Sequence, residues 1–314
     1  MSKTTFNVGV IGYGLSAKVF HIPLIQATPE LNLYGIVQRT PKPNNDSSTS
    51  HPGIKSWRSV DELFADKNVD ICIVTSTPEA HYSHTRSALE SGKHVVLEKP
   101  MVPSSAEARD LISIAQRMGK LLTVYQNRRW DQDFLTLQEI LAKKEDLLGD
   151  IAEFETHYDR FRPSLPAPEL RTWKNEDLPA GGALFDLGSH LLDQVYCLFG
   201  APERVTGFVG VQKRGVSGCP PDACTVLLDY GDGKPFVTVK SSSISPEEEQ
   251  LRFWVRGTKG SFKKFYLDVQ EAQLVAGGKM TDKGFGHEPE SHYGEFFFLS
   301  FCSCLLAFFV TEGY

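Results

Sequence analysis

Over the first 125 residues, short apolar runs alternate with helix-spaced ones. Residues 7–12, 31–38, 69–75, 94–98 and 121–125 are nearly unbroken apolar stretches of strand length, which suits strands buried on both faces. Between them Ala17, Phe20, Leu24 and Ile25, and later Ala106, Leu111, Ile114, Ala115 and Met118, recur at the spacing of one helix face. This alternation predicts parallel strands joined by right-handed crossovers, a doubly wound α/β sheet. Residues 41–53, rich in Pro, Asn, Ser and Thr, read as a surface loop.

The pattern changes after Trp130. A helical stretch with Leu135, Leu137, Ile140 and Leu141 on it ends near Gly149, residues 151–158 alternate as a strand, and a Pro-rich loop runs over 163–179. One strong helical pattern covers 183–199, and only strand-like runs follow, at 205–211, 225–230, 236–240, 251–256, 261–266 and 269–275. These predict an α+β domain on an open, mostly antiparallel sheet. The organisation read from the pattern is therefore a first domain over 1–125, a second over 126–294, and an atypical apolar tail over 295–314.

Of the 15 residues from 296 to 310, 13 are apolar and 6 are Phe. The stretch is short of the roughly 20 residues that cross a bilayer and lacks the polar stripe of an amphipathic helix. The expectation is a mistranslated or mis-spliced tail. A hydrophobic anchor to a membrane or partner and a buried helix are the competing origins.

Length and composition narrow the function. At 314 residues the chain has room for two domains, and 41% hydrophobic with 23% charged residues suits globular folding. A net charge of -6, from 33 basic and 39 acidic residues, supplies none of the basic field that nucleic acid requires. The N-terminal residues lack the charged region, apolar core and cleavage site of a secretory signal. The 6 cysteines show no repeated C-x-x-C spacing, which suits unpaired thiols in a reducing, cytoplasmic setting. Cys219 and Cys224 lack a second ligand pair, so no metal site is expected.

Candidate chemistry lies in four places. Gly12-Tyr13-Gly14-Leu15-Ser16-Ala17 follows the first strand and opens the first helix. Gly12 would permit the tight turn, Gly14 the approach of a pyrophosphate, and Ala17 close helix packing at an N-terminus that favours phosphate. The second strand ends in Gln38-Arg39-Thr40 with no carboxylate to hold a ribose 2′-hydroxyl, and a guanidinium there suits the 2′-phosphate of NADP rather than NAD. Glu98-Lys99-Pro100 closes the fifth apolar run, placing Lys99 at the carboxyl edge of the sheet, where a partly desolvated amine can move a proton or polarise a carbonyl. Asp186 and His190, four apart in a helical pattern, share one face. They can act as an acid/base pair, or equally as a helix-capping carboxylate and a histidine packed on the sheet.

Taken in order, the G-x-G-x-x-A, E-K-P and D-x-x-x-H motifs resemble those of the Gfo/Idh/MocA oxidoreductases over about residues 6 to 290. The stretches from Lys18 to Ile25, Gln126 to Asp131 and Tyr158 to Pro163 are similar to a subgroup of uncharacterised bacterial and fungal oxidoreductases. The resemblance implies an N-terminal Rossmann domain and hydride transfer between NADP(H) and a secondary alcohol or ketone of a sugar, polyol or related hydroxylated compound. It assigns catalysis to Lys99, Asp186 and His190. Cofactor contacts fall to Gly12, Tyr13, Gly14, Leu15, Ala17, Arg39, Thr75, Thr77, Pro78, His81, Glu98, Lys99 and the loop of Trp173, and substrate contacts to Asn127, Tyr158 and Arg160. It further implies a small-molecule substrate held between the domains and a homo-oligomer formed through the open face of the second sheet. Two departures stand out: Thr77-Pro78-Glu79-Ala80-His81 replaces a T-P-N-x-x-H pattern, and the family pattern stops at Glu295. The galactose-regulon repressor of yeasts also resembles this family, so a non-catalytic dinucleotide-binding regulator is the alternative. Retention of Lys99, Asp186 and His190 together favours the enzyme.

Overall fold

In the first half of the chain the five apolar runs become parallel strands, and a short sixth strand joins them at one edge. A computed structural model describes residues 5–214 and 218–298. The chain divides into two compact units, one running to Gln126 and including Leu274–Lys279, the other taking Asn127–Gln273 and the chain from Met280 onward.

The first unit carries β1 (Phe6–Ile11), β2 (Leu31–Val37), β3 (Lys55–Trp57), β4 (Ile71–Val74), β5 (His94–Leu97) and β6 (Leu122–Val124). They form one sheet in the order β3-β2-β1-β4-β5-β6. The direction of winding reverses between β1 and β4, and ligands of such sheets bind at the carboxyl ends of the strands there. The three-residue β3 was not legible as a strand. Residues 41–53 form a loop that also contains a helical turn, Ser47–Ser50, whose first turn is capped by Asp46 accepting from the Ser48 amide at 2.9 Å. Helices Pro78–Glu90 and Ser105–Met118 flank the sheet, the second opened by a Ser104/Glu107 capping box and closed by left-handed Gly119.

The second unit is a mixed, mostly antiparallel sheet of β7 (Ile151–His157), β8 (Arg204–Gly210), β9 (Ala223–Asp229), β10 (Phe236–Ser242), β11 (Leu251–Gly257), β12 (Gly260–Phe265) and β13 (Glu295–Phe298). Its order is β13-β12-β11-β7-β10-β9-β8, with β10 and β7 parallel and the other pairs antiparallel. Phe154, Val237, Val239 and Val255 on one face pack with Phe134 and Leu137 of helix Gln132–Ala142 and Leu191 and Val195 of helix Ser189–Phe199. The opposite face leaves Leu227 and Phe236 exposed.

A buried cation locks these layers together. Arg252 of β11, 0% exposed, pairs with Asp133 at 2.9 Å and donates to Gln194 Oε1 at 2.7 Å and Thr156 Oγ1 at 3.0 Å. One guanidinium thereby ties the sheet to both helices.

One segment differs from the sequence reading. Residues 269–275, expected as a strand, contain the helix Gln270–Val275. The Val269 carbonyl accepts the first helical bond from the Gln273 amide at 3.0 Å, Asp268 just ahead of it holds the Gln270 amide at 2.7 Å, and no residue of the helix is buried. Glu295–Phe298, the first residues of the expected tail, form edge strand β13, with the Phe296 ring centroid 5.1 Å from that of Phe262. The rest of the expected tail, 299–314, lies outside the described residues.

Candidate active site

The loop after β1 has the geometry that its glycines predict. Gly12 sits at φ +104°, where a Cβ would press on the Thr75 hydroxyl and carbonyl at 2.8 and 3.0 Å. Thr75 in turn donates to the Ile11 carbonyl at 2.9 Å, fixing the turn to the end of β4. A Cβ at Gly14, by contrast, would meet no atom within 4 Å. This open cradle lies before the helical segment that starts at Ala17, and it fits a dinucleotide pyrophosphate. Ala17 is fully buried, Leu15 is exposed at the mouth of the loop, and the Tyr13 hydroxyl lies 3.1 Å from His51 Nε2. Arg39 is exposed at the end of β2, with no ion pair among the described residues.

Thr77 occupies the N-cap position of helix Pro78–Glu90 without a side-chain capping bond, and Pro78 stands in its first turn. His81 is buried, its Nδ1 2.8 Å from the Pro100 carbonyl oxygen and its Nε2 3.0 Å from that of Ser76, so the ring bridges the loops after β4 and β5. Burial pushes its pKa down.

Glu98 is buried and held by three neighbours. It accepts from Ser16 Oγ, lies 2.9 Å from His21 Nε2, and accepts from the Lys99 amide at 3.0 Å. Burial raises its pKa, but the hydrogen bonds and charge of His21, the Ser16 hydroxyl and the charge of Lys99 together hold it below the ordinary value of 4.5. The partners Ser16 and His21 were not singled out from sequence, because they lie 82 and 77 residues from Glu98. A depressed folded-state pKa contributes stability that is present above the ordinary value and lost as pH falls through the folded one. Wild-type protein is therefore expected to lose melting temperature more steeply below pH 4.5 than Glu98→Gln does. Parallel melting curves across that range would remove Glu98 as a source of acid sensitivity.

In the second unit Asp186 and His190 lie on consecutive helical turns and are both buried. Leu184–Gly188 is a π turn running into the α-helix Ser189–Phe199, just as Ala17–His21 is a π turn in the first unit. Such turns re-aim the side chains they carry and recur at functional sites. Gly182, at φ +84°, allows the chain to pass so close to Pro221 that a Cβ would lie 2.4 Å from its carbonyl oxygen. Asp186 pairs at 2.6 Å with Lys174, whose ammonium also lies 5.5 Å from the Trp173 ring centroid. Lys174 was missed because it sits in the Pro-rich loop, where no periodicity places it.

Asp186, Lys174 and Arg160 line one cavity of ≈ 560 Å³, within the range of small-molecule sites. Tyr158 lies behind it, 1% exposed, its hydroxyl accepting from Arg128 at 2.8 Å and from Arg160 at 2.6 Å. Tyr158 is placed to hold Arg160. Asn127 opens the short helical turn Asn127–Trp130.

Residues 6–126 match the oxidoreductase family with an NAD-binding Rossmann fold, and residues 134–263 match the Gfo/Idh/MocA C-terminal domain. The chain belongs to the Gfo/Idh/MocA oxidoreductases. Within this family it is 38% identical to the uncharacterized oxidoreductase C115.03 of Schizosaccharomyces pombe, over 92% of this chain and 78% of that protein. It is 37% identical to the NADP(+)-dependent scyllo-inositol 2-dehydrogenase IolW of Bacillus subtilis, over 93% and 77%. Among solved structures, an oxidoreductase from Bacillus cereus superposes with a TM-score of 0.81 at 30% identity, covering 93% of this chain and 80% of that one. The NAD complex of GenD2, from gentamicin A biosynthesis, gives 0.73 at 26% identity, covering 85% and 73%. Among the described residues no helix is long and apolar enough to cross a membrane.

Proposed function

We propose that this oxidoreductase moves hydride between NADP(H) and a secondary alcohol or ketone on a sugar, polyol or related hydroxylated compound. The observation that carries the reading is Asp186 on the wall of a ligand-sized cavity, with His190 one helical turn on, in a chain of the Gfo/Idh/MocA family. When bound, the nicotinamide supplies the hydride acceptor or donor. In the oxidation direction His190 takes the hydroxyl proton, Asp186 orients His190, and Lys99 stabilises the developing alkoxide. The Gly12–Ala17 turn, Thr75, Thr77, Pro78, His81, Glu98 and Trp173 serve the cofactor, and Asn127, Tyr158 and Arg160 serve the substrate, Tyr158 through its hold on Arg160. A cytoplasmic homo-oligomer, associating through the sheet face that exposes Leu227 and Phe236, completes the proposal. The similarity to IolW makes inositols the first compounds to try. NADP+ reduction followed by absorbance across inositols, sugars and their keto forms tests the reading, and no turnover with any of them would refute it.

Cofactor preference rests on Arg39, exposed at the end of β2 with no neighbouring acid in Gln38-Arg39-Thr40. A 2′-phosphate held by a guanidinium gains charge-assisted hydrogen bonds, worth about 10-fold or more in affinity. NADP+ is expected to bind more tightly than NAD+ by that factor, and Arg39→Asp to reverse the order. Fluorescence titrations at one ionic strength check it, and equal affinities in the wild type would defeat it.

A further inference from the structure

Beyond Asp186 and Lys174, the cavity of the second unit presents two arginines, Arg160 and Arg162, that no described residue pairs with. Resting on the reading that this cavity receives the substrate, we propose that Arg160 and Arg162 form an anion subsite. The compound oxidised or reduced is then polyhydroxylated and carries a carboxylate or phosphate.

The backbone places both side chains. Beyond β7 the chain stays extended and hydrogen-bonded to the segment after β10, with the Arg160 amide donating to Ser242 at 2.8 Å and the Arg162 amide to Ser243 at 2.8 Å. Residues two apart on an extended chain share a side, and both arginines line the cavity, while Phe161 between them is exposed.

Charge then separates these two from the other cations of the wall. Lys174 is paired with Asp186 at 2.6 Å, and Lys213 with Asp222 at 3.2 Å. Among the described residues the Arg160 guanidinium donates only to the Tyr158 hydroxyl, and it sits over that ring at 4.7 Å from the centroid. Neither Arg160 nor Arg162 forms an ion pair among the described residues. The wall thus carries two uncompensated positive charges in a space of ≈ 560 Å³, sized for a sugar and one substituent. The same Tyr158 hydroxyl accepts from buried Arg128, so the Arg160 fork is tied to a side chain that is itself held. Guanidinium forks match carboxylate and phosphate oxygens two at a time, and a fixed fork loses little freedom on binding. A neutral polyol has no group that requires such a pair.

The test compares D-glucose, D-glucuronate and D-glucose 6-phosphate on the NADP+-saturated protein, with affinity from calorimetry and turnover from NADPH absorbance. At least one anion is expected to bind about 10-fold or more tightly than glucose, with the two anions telling carboxylate from phosphate. Arg162→Gln is expected to erase the preference, and Arg109→Gln on the exposed face of helix Ser105–Met118 to keep it. Equal binding of the three compounds, binding of none, or an unchanged preference in Arg162→Gln overturns the inference. So does an Arg162→Gln variant whose NADP+ affinity falls by the same factor, since the arginines would then serve the cofactor. Preferred anion binding without turnover would sustain the subsite while counting against the dehydrogenase reading; turnover of glucose without anion preference would do the reverse.

Discussion

Replacing His190 or Lys99 with alanine is expected to lower turnover by about 100-fold or more, the range in which general acid/base groups contribute. His190 is 4% exposed in the helix that follows Asp186, so its ring is held by packing and its loss removes one positioned proton acceptor. Lys99 follows β5 directly, and its charge is felt by the Glu98 carboxylate, which the Lys99 amide also contacts at 3.0 Å. The two variants should part company in cofactor binding. His190 belongs to the second unit, whereas Lys99 lies in the unit that carries the Gly12–Ala17 turn, so NADP+ affinity is expected to stay near wild type in His190→Ala and to weaken in Lys99→Ala. Steady-state kinetics with fluorescence titration resolve the two effects. Near-normal turnover in either variant takes that residue out of the mechanism.

Arg252→Met is expected to destabilise the protein by about 3–5 kcal/mol, the cost of leaving a buried partner charge uncompensated. The variant keeps much of the side-chain volume but strands Asp133, whose side chain is 1% exposed, and removes the donors to Gln194 and Thr156. Adding Asp133→Leu should recover part of the loss, because the stranded charge disappears with it. Denaturant midpoints for the wild type, the single variant and the double variant measure both quantities. A loss under about 1 kcal/mol, as for an exposed ion pair, would show that this cation does not organise the sheet and its helices.

Much of the first unit was legible because parallel strands buried on both sides leave unbroken apolar runs, and β1, β2, β4, β5 and β6 all carry that signal. The edge strand β3 has three residues, too few for a period. Gln270–Val275 misled for a different reason: Ala272 and Leu274 alternate as in a strand, yet the Val269 carbonyl bonds the Gln273 amide in a helical turn that Asp268 precedes. In the candidate sites, the residues standing inside motifs could be found by spacing. The contacts that set their chemistry could not: Glu98 with Ser16 and His21 joins two ends of the first unit, and Asp186 with Lys174 crosses an irregular loop. Arg252 gave no signal either, since a lone arginine in an alternating strand reads as a solvent-facing position until Asp133 and Gln194 are seen around it.

The π turn at Leu184–Gly188 makes the distance between Asp186 and His190 a matter of chain length as well as side chains. A helix advances about 100° per residue, so a deletion of Leu187 that returned the turn to α-helical register would leave the two residues three apart, still neighbours on one face but with a changed offset around and along the helix. Substitution scanning, which preserves length, cannot sample that change. Family members that differ here by a single-residue insertion or deletion would carry the same acidic and imidazole groups yet present a different pair to their substrates.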